Sequence, residues 1–228
     1  EAKKEALRYD NKKPEDIIVV PNTIHPEIYN KYSLKQHVLD KFKERYVVLY
    51  LGDTGLRRGT ACAIRAVDIL KDRIPEVLLI MVGKNKVEDP QLRSLIGNLG
   101  LEEWVSMEGW QDVSLFPSYV KAADVCISPL KHNLHHNTTY ANKIFQYMAL
   151  GKPLVVSDST AQQRVVENEG AGLVHEAENE RDLANKIMQL YENPSLAKKL
   201  GNAGKKAVEE RWNWKNTSQA LINMYGNL

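Results

Sequence analysis

Apolar residues along the chain fall into short runs, separated by stretches in which they recur every third or fourth position. The runs lie at 46–52 (YVVLYLG), 77–83 (VLLIMVG), 104–109, 124–129, 154–156 and 172–175. A continuous run such as 46–52 is what a strand buried on both faces of a parallel sheet requires. After it, Ala63, Val67 and Leu70 share one helical face at i, i+4 and i+7. Further helices are predicted over 90–99, 115–122 and 160–168. A helix over 143–150 turns Ile144, Phe145, Met148 and Ala149 inward, and Gly151 and Pro153 stop it. A helix over 179–191 aligns Leu183, Ile187, Leu190 and Tyr191, another runs from Pro194 to about Trp212, and a last one starts at Asn213. Before the first long run, residues 1–13 are charged and helix-compatible with little to bury. Residues 17–20 read as a short strand and 34–42 as a helix. Strands alternating with helices at this spacing imply βαβ crossovers: an α/β fold with a Rossmann-like, doubly wound parallel sheet.

Composition narrows the class. The 228 residues carry a net charge of +2, so no strong positive field argues for nucleic acid. Cys62 sits in a helical pattern and Cys126 in an apolar run, and both read as buried small residues, as suits a reducing compartment. No run approaches membrane-span length. Neither repeats nor low-complexity linkers divide the chain, so one domain is the simplest reading. The chain opens on Glu1 and not Met, which suggests a piece of something longer.

Ligands of doubly wound sheets bind beyond the carboxyl ends of the strands, so the polar segments there are the candidates. GDTGLRRG (52–59) combines backbone freedom with two arginines suited to bidentate phosphate contact. It matches neither GxGxxG nor a Walker loop, which disfavours dinucleotide oxidoreductases and P-loop enzymes. Its alternative reading is an exposed turn. GKNK (83–86) carries two lysines that solvent alone could explain. Trp110, just past a strand, either stacks on a base or fills the core. KHNLHHN (131–137) offers three histidines, but their spacing matches no standard zinc site, so they line a polar cleft or face solvent. Residues 137–142 read as a polar loop feeding the helix at 143. The first-turn N–H groups of that helix lack intrahelical partners and favour an anion; an ordinary loop–helix connection is the alternative.

The ordered series of these segments resembles the C-terminal domain of GT-B-fold glycosyltransferases, close to the large retaining family often called family 4. VVPNTIHPEIYN, YLGDTGLRRG, LLIMVGKN, MEGWQDVSLFPSYVKAADVCISP, NKIFQYMALGKPLVVSD, GAGLVHEAENERDLANKI and ERWNWKNTSQALINMY each resemble a family segment, in order, over nearly the whole chain. The resemblance implies a donor domain that binds a nucleoside-diphosphate sugar (UDP- or GDP-linked). It implies transfer of a hexose with retention onto a saccharide or other acceptor, as in polysaccharide biosynthesis, with no cofactor or metal required. Residues 1–13 would be a connecting remnant of a missing N-terminal acceptor domain. Residues 14–228 would be the donor-binding domain with its C-terminal crossover helix. The lone domain would be inactive. The enzyme would be cytoplasmic, with any membrane association through the missing part.

Residue by residue, the resemblance assigns Arg58 to the donor diphosphate and makes Arg58 and Thr138 the candidate catalytic positions. Gly52 and Gly55 would admit the phosphates. Arg57 would contribute only if its loop turns inward, because Asp53 stands where the family commonly has Arg. Lys84 would lie near the nucleotide, and Trp110 and Gln111 would frame the base. Tyr140, Ala141, Asn142 and Lys143 would present N–H groups to the diphosphate. Gln146 matches the second Glu of an E-x7-E pair that holds the ribose, and Thr138 the first, which touches the sugar. Gln146 can still bond a diol; Thr138 cannot act as a carboxylate. Leaving-group stabilisation by cations and helix N–H groups tolerates that loss. A nucleotide-sugar epimerase and a non-catalytic, degenerate nucleotide-binding domain remain as alternatives.

Overall fold

The computed structural model describes residues 2–9, 13–25, 27 and 31–226. Helices α1 (Ala2–Tyr9) and α2 (Gln36–Phe42) come before β1 (Tyr46–Leu51). There follow α3 (Thr60–Leu70), β2 (Val77–Val82), α4 (Asp89–Leu99), β3 (Val105–Gly109), α5 (Phe116–Ala122) and β4 (Val125–Ser128). The second half runs α6 (Leu134–Thr138), α7 (Asn142–Ala149), β5 (Leu154–Ser157), α8 (Thr160–Glu169) and β6 (Gly172–His175). It closes with α9 (Glu180–Glu192), α10 (Pro194–Glu210), α11 (Trp214–Thr217) and α12 (Gln219–Gly226).

The six strands form one parallel sheet in the order β3-β2-β1-β4-β5-β6. Strand side chains alternate between faces, and β1 shows how this builds two cores. Val48 and Tyr50 pack with α3, α4 and α9 through Val67, Ile96 and Ile187. Val47, Leu49 and Leu51 pack with α2, α5, α7, α8 and α10 through Phe42, Tyr119, Phe145, Val165 and Val208. Successive connections from β1 to β2 and from β3 to β4 take the chain to opposite sides of β1. The loops after β1 and β4 therefore diverge and leave a crevice between them.

Two local devices hold that crevice in shape. Gly59 precedes α3 with φ 76°, and a Cβ there would lie 1.6 Å from Pro129 O, so the loops after β1 and β4 touch backbone to backbone. Lys131 N also donates to Arg57 O at 3.3 Å. Below the loops, Gln162 of α8 is fully buried. Its Nε2 donates to Ser128 O (2.9 Å), Ser157 O (3.1 Å) and Ser157 Oγ (2.8 Å), while its Oε1 accepts from Ser128 Oγ (2.8 Å). Ser157 Oγ lies 2.6 Å from Leu130 O, which ties the end of β5 to the loop after β4.

The structure departs from the sequence expectations in three places. Residues 17–20 form no strand; Ile18 and Val19 are 43% and 47% exposed, and the nearest pairing is an isolated bridge between Ile24 and Asn213. The loop expected at 137–142 is helical through Thr138, because Asn133 caps α6 (His136 N to Oδ1, 2.8 Å) and Thr138 Oγ1 donates back to Leu134 O (2.7 Å). The last helix is split into α11 and α12. The expected segment 1–13 includes residues 1 and 10–12, and the expected motif 19–30 includes residues 26 and 28–30, which lie outside the described residues. Cys62 and Cys126 are free and buried, and burial raises both thiols, Cys62 to about 12. No described helix is long and apolar enough to cross a membrane.

Candidate functional site: the crevice between β1 and β4

The crevice opens into a cleft of about 630 Å³, the size of a pocket for a small organic ligand. Of the candidate residues, Gly52, Arg58, Thr138, Tyr140, Ala141, Asn142, Lys143 and Gln146 line it. So do Asp53, His135, Phe116, Ala2 and the segment 19–22. Gly55, Arg57, Lys84, Trp110 and Gln111 do not.

Asp53 organises the loop after β1. Its carboxylate accepts from Gly55 N (3.0 Å), Asn85 Nδ2 (3.0 Å) and Arg57 Nη2 (3.1 Å), with Arg58 Nε at 3.6 Å. Desolvation pushes this carboxyl up, but the Asn85 and Gly55 hydrogen bonds and the two guanidiniums outweigh it and hold it below the usual range. Three consequences follow for the expected roles. Arg57 is turned to Asp53, with its side chain half exposed, and stays outside the cleft lining. The Gly55 N–H is occupied by Asp53, so smallness is what the position supplies: a Cβ would lie 2.7 Å from Glu88 Oε2. In the turn after β2, Asn85 bonds the Asp53 carboxylate, while Lys84 is exposed and outside the cleft lining. Sequence reading missed Asn85 and Asp53 as a pair because they lie 32 positions apart on adjacent strand ends.

His136 stands behind the two arginines. It is buried, and its Nε2 is 3.4 Å from an Nη1 of each of Arg57 and Arg58. Nδ1 lies 2.8 Å from Lys131 O and 2.9 Å from Asn133 Nδ2. Donation to the carbonyl leaves the Nε2 lone pair facing the guanidiniums. Burial lowers the affinity of this ring for a proton, the Lys131 carbonyl opposes that, and the arginines and His135 reinforce it. A neutral ring accepting from Arg58 orients that cation without cancelling its charge. His132 is tied elsewhere, 2.8 Å from Asp158. Among the described residues, no group of His, Cys, Asp and Glu is arranged to hold a metal.

The opposite wall is the start of α7. Ala141 is its N-cap and brings no side-chain cap, so the amides of the first turn remain for an anion. The amphipathic pattern of 143–150 anchors this turn. Tyr147 OH accepts from Leu51 N (2.8 Å), and Phe145 stacks on Trp212 with centroids 5.3 Å apart. Tyr140 meets both rings edge-on at 5.9 and 5.4 Å. Lys143 reaches back over β1. Its Nζ lies 3.6 Å from the centroid of the Tyr50 ring and 3.5 Å from where a Gly52 Cβ would stand. Trp110 is 72% exposed at the end of β3, which removes the core-filling alternative for it; Gln111 Nε2 donates to Glu108 O (2.8 Å).

A parallel sheet in 3-2-1-4-5-6 order, with glycine, arginine and a helix N-terminus lining a cleft at the switch point, defines a Rossmann-like α/β domain. The family model "Glycosyl transferases group 1" matches residues 33–207. The chain belongs to that family, and its fold is the one the sequence resemblance implied. A glycosyltransferase of Methanocaldococcus jannaschii is 26% identical over 214 residues, covering 93% of this chain and 53% of its own. The crystal structure of HepE from Anabaena in complex with UDP superposes with a TM-score of 0.82 at 19% identity, over 96% of this chain and 59% of HepE. Sucrose-phosphate synthase from Thermosynechococcus elongatus gives 0.82 at 21% identity, over 99% and 56%. The chain thus spans about half the length of the relatives it matches.

Proposed function

We propose that this chain binds the nucleoside-diphosphate-sugar donor of a retaining glycosyltransferase, UDP- or GDP-linked, and works with an acceptor-binding half outside this sequence. The observation that carries the reading is the convergence of Arg58, Lys143, Gln146 and the first turn of α7 on one cleft at the switch point. The UDP held by HepE and the partial coverage of the relatives support it. Arg58 and the α7 amides face the same space, where they would stabilise charge growing on a departing diphosphate. Gln146 would bond the ribose hydroxyls. No carboxylate stands at Thr138, whose hydroxyl donates to Leu134 O. Its catalytic part is therefore limited to a polar contact with the sugar, and leaving-group stabilisation supplies the main acceleration.

The test is a binding screen of the folded chain against UDP, GDP and their sugar conjugates. It is followed by NMR of the product formed when the chain is combined with its acceptor half, donor and acceptor. Binding of a nucleoside diphosphate and an unchanged anomeric configuration are expected. Epimerised donor without acceptor would favour an epimerase, and no nucleotide binding would sink both readings.

A further inference from the structure

The Lys143 ammonium is unusual for a cleft-lining cation. Its Nζ is buried and has no hydrogen-bond partner among the described residues. It is held over the Tyr50 ring, which supplies only a cation–π contact. Tyr50 cannot become its counterion, since burial raises the phenol and its OH donates to Asp53 O at 2.6 Å. Asp53, the nearby carboxylate, is engaged by both arginines. A buried charge without an acceptor is costly, and a lysine packed only for structure would sit more cheaply as a methionine. The Arg58 Nε also has no hydrogen-bond partner among the described residues, although it lies 3.6 Å from Asp53 Oδ2, and both cationic side chains line one cleft with Gly52.

We propose that the Lys143 side chain is a second diphosphate-binding cation of this cleft, acting with Arg58 and left without a hydrogen-bonded counterion until the anion arrives. The inference rests on the reading of the cleft as a nucleoside-diphosphate site and adds a specific role to the side chain, beyond the backbone of α7. One physical consequence separates it from simple packing. Desolvation, together with the Arg58 charge, lowers the proton affinity of the free amine well below the ordinary lysine value, while Asp53 opposes this. A bound diphosphate restores that affinity, so binding takes up a proton in the window between the two pKa values, and affinity falls as pH rises through it. The groups facing the amine are Tyr50 of β1 and Asp53 and Arg58 of the following loop. His135 of α6 lines the same cleft.

The test is calorimetric titration of the chain with UDP and with uridine between pH 7.5 and 9.5, in buffers of different ionisation enthalpy, for wild type, Lys143→Met and Lys143→Arg. Expected for Lys143→Met are UDP affinity weaker by about 10- to 100-fold, unchanged uridine affinity, loss of proton uptake and a melting temperature no lower than wild type. Lys143→Arg should retain most of the UDP affinity. Should wild type bind UDP while Lys143→Met, folded by circular dichroism, binds it within twofold and with the same pH profile, the role of Lys143 is overturned and the donor-site reading stands. Wild type that binds no nucleoside diphosphate overturns both.

Discussion

Replacing Gly59 by Ala tests whether the crevice is set by backbone contact between the loops after β1 and β4. At φ 76° an alanine carries about 1 kcal/mol of conformational cost. Its Cβ would also be built 1.6 Å from Pro129 O and 2.7 Å from Pro129 C, both backbone atoms that cannot rotate away. Relieving such overpacking costs about 1–3 kcal/mol more, so the total loss is about 2–4 kcal/mol. For a domain of this size that lowers the melting temperature by about 4–16 °C. Gly100→Ala is the control: its φ is 62°, yet nothing lies within 4 Å of its Cβ position, so only the conformational cost of about 1 kcal/mol applies. Urea denaturation of both variants measures the difference. Because Arg58 precedes Gly59, the shifted loop should also weaken nucleotide binding. Equal destabilisation by the two substitutions, within about 0.5 kcal/mol, would falsify the claim that the loops are in enforced contact.

Other outcomes follow from the buried polar groups. Gln162→Ala strips the partners from the hydroxyls and carbonyls of Ser128 and Ser157, and should cost about 3 kcal/mol in urea denaturation; a loss below about 1 kcal/mol would show that water replaces the amide. His136 and His175 are both lowered from the ordinary histidine value, in each case chiefly by burial. The unfolded chain therefore binds more protons between the folded and unfolded pKa values, and stability should fall as pH drops from about 7 to 5. Glu108 and Glu169, held below the carboxylate range by their partners despite desolvation, lose their stabilisation only at lower pH. A His136→Gln, His175→Gln double variant should lose most of the dependence between pH 5 and 7; an unchanged profile would assign it to other groups.

The parallel sheet was legible because its central strands β1, β2, β4 and β5 are buried apolar runs that need no distant partner to be recognised. The helices between them carry their faces at regular spacing, and the start of α7 followed from the same periodicity. What the sequence hid depends on contacts between distant positions. Residues 17–20 look like a strand locally, yet among the described residues they pair with no strand. The α6 helix has no apolar period; a capping Asn133 and a back-bonding Thr138 make it. The resemblance favoured Arg58 over Arg57, but which way Arg57 turns depends on its hydrogen bond to Asp53, itself held by Asn85; Arg57 stays out of the cleft lining and Arg58 is in it.

The central claim is that the crevice between β1 and β4 binds a nucleoside diphosphate through Arg58. Calorimetric titration of the folded chain and of Arg58→Ala with UDP and GDP tests it most directly. The account predicts one saturable site for at least one of the two ligands. It also predicts a loss of about 1.5–3 kcal/mol in the variant, or roughly 10- to 150-fold in Kd. A folded chain that binds neither nucleotide, or an Arg58→Ala variant that binds as tightly as wild type, would contradict it.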